Sequence, residues 1–146
     1  MGDINICNIQ DAKMAALKFL KSQQYSENEI VINYFVIIFM QLINCMLYKV
    51  CGTTARLTFK DLGGLCKSAE IKKLFEYRNI ICHLHGTKDY YSLQNELKDV
   101  FGNDWEHQVY SFIMSVIESV EDGTFMTKYA VSNDRQILNH LGSIND

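Results

Sequence analysis

The 146-residue sequence contains no proline, which excludes a Pro-rich linker and removes the commonest helix breaker. It contains no C-x-x-C pair. Its five cysteines (Cys7, Cys45, Cys51, Cys66 and Cys82) are odd in number and irregularly spaced, so neither a disulfide framework nor a paired zinc site is expected. Residues 1–10 show no cationic start followed by an apolar core, so no secretory signal is expected. Free thiols and a reducing, cytoplasmic setting follow as the expectation. What is present is ordinary for a folded domain: 48% hydrophobic and 21% charged residues, a balance that excludes wholesale disorder. The length suits one domain, expected to span residues 1–146.

Charge is unevenly placed. The net charge is −3, yet Lys49–Lys88 carries eight basic and three acidic residues, whereas Asp89–Asp146 carries three basic and ten acidic ones. A basic zone inside an acidic chain attracts a polyanion whatever the total charge. A solvated helix face rich in lysine would give the same count.

Apolar spacing divides the chain into helices. Ile9, Ala12, Ala16, Leu17 and Leu20 recur at helical spacing and predict a first helix over Ile9–Gln24. Ser26 with Glu29 three residues later reads as a capping box opening a second helix that runs to about Lys49. Ile30–Tyr48 carries no charge and approaches the ~20 residues of a membrane span. Asn33, Gln41 and Asn44 form a narrow polar stripe on it, which a lone span would expose to lipid. No membrane is therefore expected. A central helix buried nearly all round, with part of it at a subunit interface, fits better.

Further on, Ser68 predicts an N-cap for a helix from Ala69 to about His85. Ser92–Phe101 predicts a short helix stopped by Gly102. Asp104 predicts a cap for Trp105–Glu121, which Asp122-Gly123 ends. Phe125–Val131 is the one segment expected to be extended, and a last short helix is expected to reach Leu141. Most of the Phe and Tyr residues, Tyr34, Phe35, Phe39, Tyr48, Phe75, Tyr110 and Phe112 among them, sit at apolar helical positions and are expected in the core, with Trp105 as a packing anchor. The fold class is all-α: a compact bundle of about five to six helices.

The helix after Ser68 holds the chemistry. At 100° per residue Ile71, Leu74, Phe75, Ile81 and Cys82 all fall within about 60° of Arg78. A permanently charged guanidinium is thus set in an apolar face, where burial alone costs several kcal/mol. It needs either a carboxylate partner, Glu29 being one candidate, or an anion-binding cleft. Asn79 and His83, four apart, share a neighbouring face. Arg78 and His83 point about 140° apart on one helix. A single copy cannot close both on one atom, whereas two copies about a two-fold axis can. Cys82-His83-x-His85 gathers potential metal ligands, but no second cluster at zinc spacing accompanies it, and no metal is expected.

Tyr77-Arg78-Asn79-Ile80-Ile81-Cys82-His83 resembles the R-x(4–6)-H signature of the HEPN superfamily, which usually has a polar residue directly after the arginine. The motif resemblance covers about Leu62–Gly86, and the helical pattern extends it loosely over Ile9–Glu121. Arg135–His140 has the same spacing, but it lacks Asn79, the capped helix and the basic surroundings. The resemblance implies a HEPN-like helical bundle. It also implies a metal-independent, cofactor-free endoribonuclease that dimerises to build its site, in a toxin–antitoxin or phage-defence setting.

Arg78, Asn79 and His83 would then be catalytic, with His85 as an alternative histidine at the longest permitted spacing. Lys67, Lys72, Lys73 and Lys88 would bind flanking RNA phosphates. The partners implied are RNA, a second copy of the chain and an antitoxin of nucleotidyltransferase type. In one toxin branch such an antitoxin modifies a Tyr two residues after the motif histidine. Here that position is His85. Two other readings fit the same residues: a non-catalytic HEPN-like binding module, and an unrelated helical regulator whose Arg78 is structural.

Overall fold

A computed structural model describes residues 6–51, 64–83 and 90–131. Six helices are defined among them: α1 (Ile6–Ser22), α2 (Glu29–Cys51), α3 (Ala69–His83), α4 (Tyr90–Phe101), α5 (Trp105–Glu121) and α6 (Phe125–Tyr129). The all-α bundle is as expected. α1 lies along α2. α3 packs on α2 and α4, and α5 packs on α4, α1, α2 and α6.

The core is the shared apolar stripe of these helices. α1 contributes Leu17 and Leu20, and α2 contributes Ile32, Phe35, Val36, Phe39, Leu42, Ile43 and Leu47. α3 adds Ile71, Leu74 and Tyr77, α4 adds Leu93 and Leu97, and α5 adds Val109, Ile113 and Val116. Each such side chain contributes about 1.5–3 kcal/mol when fully buried. Trp105 is buried, its ring edge-on to Tyr77 at 5.9 Å, the anchoring role expected of it.

Local signals set most boundaries. Ser68 caps α3: its Oγ accepts from the Ile71 N–H at 3.2 Å, and its carbonyl accepts from Lys72 N. Gly102 and Gly123 adopt φ of 98° and 83° and end α4 and α5, since a left-handed residue costs little only where no Cβ is present.

The cap of α2 is a correction. Asn28, not Ser26, is the N-cap, its Oδ1 accepting from the N–H groups of Ile30 and Val31. Ser26 Oγ accepts from Asn28 N, ahead of the helix. Glu29 takes a hydrogen bond from Gln94 on α4 rather than closing a capping box. Two side chains competed for one set of orphan N–H groups, and the nearer oxygen won. Asp104 does precede α5, but its side chain makes no capping bond.

The extended segment is a second correction. Phe125–Tyr129 is helical, and only Ala130 bridges to Cys66 in antiparallel fashion, with Lys67 N–H bonded to Tyr129 O and Val131 N–H to Leu65 O. Phe125, fully buried, sets the turn onto the core. The expected last helix to Leu141 lies outside the described residues.

α2 is the third correction. Among the described residues it is the one helix long and apolar enough to cross a membrane by length and composition, and half of that stretch is buried in the bundle. It is not covered all round: Ile30 and Tyr34 stand 74% and 58% exposed. Tyr34 is therefore not core: its ring lies beside Phe19 of α1, centroids 6.3 Å apart, and among the described residues no helix covers its outer side.

Candidate functional site

α3 presents the predicted residues in order. Its burial centres on Ile71, Leu74, Phe75 and Tyr77, all buried. Toward the C-terminal turn the cover thins: Arg78, Asn79, Ile80 and Ile81 are half-buried and Cys82 is exposed. Arg78 thus sits where the apolar face of the helix emerges from the core.

Its guanidinium carbon lies over the Phe75 ring at 5.0 Å from the centroid, one turn back along the same face, where helical side chains lean. Its Nε is buried and has no hydrogen-bond partner. Among the described residues no carboxylate comes within ion-pair distance of it. Glu29, the acid named as a candidate partner, accepts from Gln94 Nε2 at 2.7 Å. The face of an aromatic ring returns about 0.5–2 kcal/mol to a cation, while a buried unmade donor costs about 1–3 kcal/mol. The cation is thus held against the ring with one buried donor unmade.

The lysines do not act as one group. Lys73 Nζ lies 3.3 Å from Glu76 and 3.4 Å from Glu96, so its charge is met within the fold. Lys67 donates to the Thr127 carbonyl at 2.8 Å and remains exposed. It precedes the helix, whose first residue Ala69 is already about 13.5 Å from Arg78 along the axis, too far to share one phosphate with it. Lys72 is half-buried and makes no ion pair with a described residue. His83 closes α3, but its side chain falls outside the described residues, as do His85 and Lys88.

Tyr77, part of the motif but given no role by the sequence, is fully buried. Its hydroxyl donates to Asn33 Oδ1 on α2. That bond pins the rotation of α3 against α2 and so fixes where the adjacent Arg78 emerges. The signal was present: an Asn inside an otherwise apolar helix must find a partner.

Burial pushes the thiols of Cys45 and Cys66 above their usual range. At Cys66 the Ser68 backbone and the Lys72 charge act against that rise, and at Cys45 Lys13 does. Neither is an activated nucleophile. Among the described residues no group of three His, Cys, Asp or Glu gathers. A hollow of about 610 Å³ between α1 and the end of α5, lined by Met14, Leu17, Lys18, Lys21 and Glu121 among others, involves none of the α3 residues.

Comparison of the chain with protein families, with characterised proteins and with solved structures finds no match.

Proposed function

We propose that the chain is a metal-independent endoribonuclease of HEPN type, acting as a homodimer in a toxin or phage-defence role. The observation that carries this reading is the guanidinium of Arg78, lodged where an apolar face meets solvent, with a buried Nε that has no hydrogen-bond partner among the described residues. A fork of fixed N–H donors in low dielectric suits the non-bridging oxygens of a phosphodiester.

The reaction asks little more of the protein. The ribose 2′-hydroxyl attacks phosphorus and gives its proton to a base. The P–O5′ bond breaks, the leaving oxygen takes a proton from an acid, and the products end in a 2′,3′-cyclic phosphate and a 5′-hydroxyl. His83 from the two copies supplies base and acid, since imidazole exchanges protons near neutrality. His85 is the alternative on the same segment. Arg78 meets the charge that builds on the phosphorane, and Asn79 orients the histidine or the phosphate. Lys72 and Lys67 hold flanking phosphates, joined by Lys88; Lys73, already paired, contributes least. The chemistry needs the 2′-hydroxyl, so DNA is spared. An antitoxin of nucleotidyltransferase type is the partner this role implies.

The test is cleavage of labelled RNA in EDTA, with the product ends identified. Arg78→Ala and His83→Ala should each abolish cleavage with unchanged circular dichroism. Full activity in either variant rejects the assignment. The pairing of Lys73 with two carboxylates favours a second reading, a non-catalytic module that binds one anion. That module would retain RNA or nucleotide without cutting it.

A further inference from the structure

The hollow between α1 and the end of α5 changes character along α1. Met14, Ala15 and Leu17 line it first, then Lys18 and Lys21, with Glu121 of α5 beside Lys21. From Met14 to Lys21 the helix axis advances about 10 Å. Leu17 is 8% exposed and forms a floor, whereas Met14 stands 60% exposed, an unbranched thioether able to mould itself to a neighbour. The volume of about 610 Å³ falls in the range of roughly 300–1,000 Å³ typical of small-molecule sites.

The charges in the lining do not cancel. Lys21 Nζ lies 2.7 Å from Glu121 Oε2, and these two neutralise each other. Lys18 is exposed and pairs with no carboxylate among the described residues. One positive charge is left in excess. The Glu118 and Ser119 carbonyls at the end of α5 already accept from the Asp122 and Thr124 N–H groups, so they do not claim it.

We infer that this hollow binds one molecule of a free amphipathic monoanion, an alkyl chain of medium length ending in a carboxylate. Its head sits at Lys18 and its tail runs over Leu17 toward Met14 and Ala15. The site is separate from Arg78, and the inference goes beyond the proposed function. A single negative head matches the single excess charge, while a dianion would be repelled by Glu121. The tail covers the exposed methionine and the lysine methylenes. An extended peptide is a poorer occupant, because its N–H groups need acceptors. The polar lining has few to give: the Ser22 hydroxyl already donates to Phe19 O, and Glu121 is engaged by Lys21. An anionic bilayer would set many head groups against Glu121 as well as Lys18.

The test uses the full chain and decanoate below its micellar concentration, read by calorimetry and by the labelled methyl signals of methionine. Met14→Leu identifies the Met14 signal. Decanoate should bind saturably, one per chain, and shift that signal. Each methylene added from octanoate to decanoate should tighten binding by up to about fourfold. Decyltrimethylammonium, with the same tail and the opposite charge, should bind about tenfold more weakly. Lys18→Glu should weaken decanoate about tenfold, and Glu121→Gln, which frees Lys21, should tighten it about threefold. Ala15→Trp, at an exposed position, should fill the hollow and abolish binding with unchanged circular dichroism; Lys18→Glu covers the case that it misfolds. The absence of saturable binding overturns the inference. So does binding that survives a folded Ala15→Trp, equal affinity for octanoate and decanoate, equal affinity for the two head charges, or weaker binding in Glu121→Gln. Binding to phosphatidylglycerol vesicles without binding of free decanoate overturns it in favour of a membrane surface. The readout is binding alone, so it stands or falls apart from RNA cleavage.

Discussion

The hydroxyl of Tyr77 on α3 donates to Asn33 Oδ1 on α2, and the same Tyr77 ring meets Trp105 of α5 edge-on. Three helices are thereby keyed to one side chain, directly before the arginine on which the proposed chemistry turns. Tyr77→Phe keeps the ring and loses this bond. It should cost about 1 kcal/mol, read as a lower urea midpoint at constant slope. It should also lower RNA cleavage by loosening the setting of Arg78. A cost that vanishes in the Asn33→Ala background would attribute it to this pair.

Arg78→Met should stabilise the fold by about 1 kcal/mol while abolishing cleavage, because it replaces an unsatisfied buried donor on an apolar face with a side chain of similar reach. Urea unfolding of the two proteins decides the sign. A clear loss of stability would mean that the guanidinium's contact with the Phe75 ring outweighs its unmade donor and that the residue is structural.

The caps separate cleanly by substitution. Asn28→Ala and Ser68→Ala each remove a side-chain acceptor for helix N–H groups and should each cost about 1 kcal/mol. Ser26→Ala should cost much less, since its Oγ serves only the Asn28 N–H ahead of the helix. Thermal melts of the three variants are sufficient. Equal losses at Ser26 and Asn28 would restore the capping-box reading.

Asp122 gives an acid-side signature. Its Oδ1 accepts from the hydroxyl and the N–H of Thr124 at 2.6 and 2.9 Å. These bonds hold its carboxyl below the ordinary value of 3.8. A carboxyl with a lowered folded value contributes stability that is complete above its unfolded value and is lost as pH falls through the folded one. Asp122→Ala should therefore weaken the fold at neutral pH and flatten the stability profile below pH 3.8, measured as urea midpoints against pH. Parallel profiles for the two proteins would remove the assigned cause.

Much of this molecule was legible in one dimension. Apolar spacing, the absence of proline, Ser68, Gly102 and Gly123 placed α1 to α5 to within a few residues, because each acts over one turn of chain, whereas the short α6 was expected to be extended. Arg78 stood out for the same reason, since a charge at a fixed angle among apolar neighbours needs no fold to be noticed. Other features had no local signature. Which of Ser26 and Asn28 would cap α2, and that Glu29 would turn to Gln94, depended on α4 arriving alongside.

The sequence by itself determined an all-α chain with a cation placed in an apolar stripe, because helical periodicity and charge are properties of neighbours along the backbone. Only the tertiary structure decided that Lys73 is met by Glu76 and Glu96, that Tyr77 locks α3 to Asn33, and that one edge of α2 stays open at Ile30 and Tyr34. Those outcomes follow from which helix lies over which face, and that is set by packing between residues far apart in the chain.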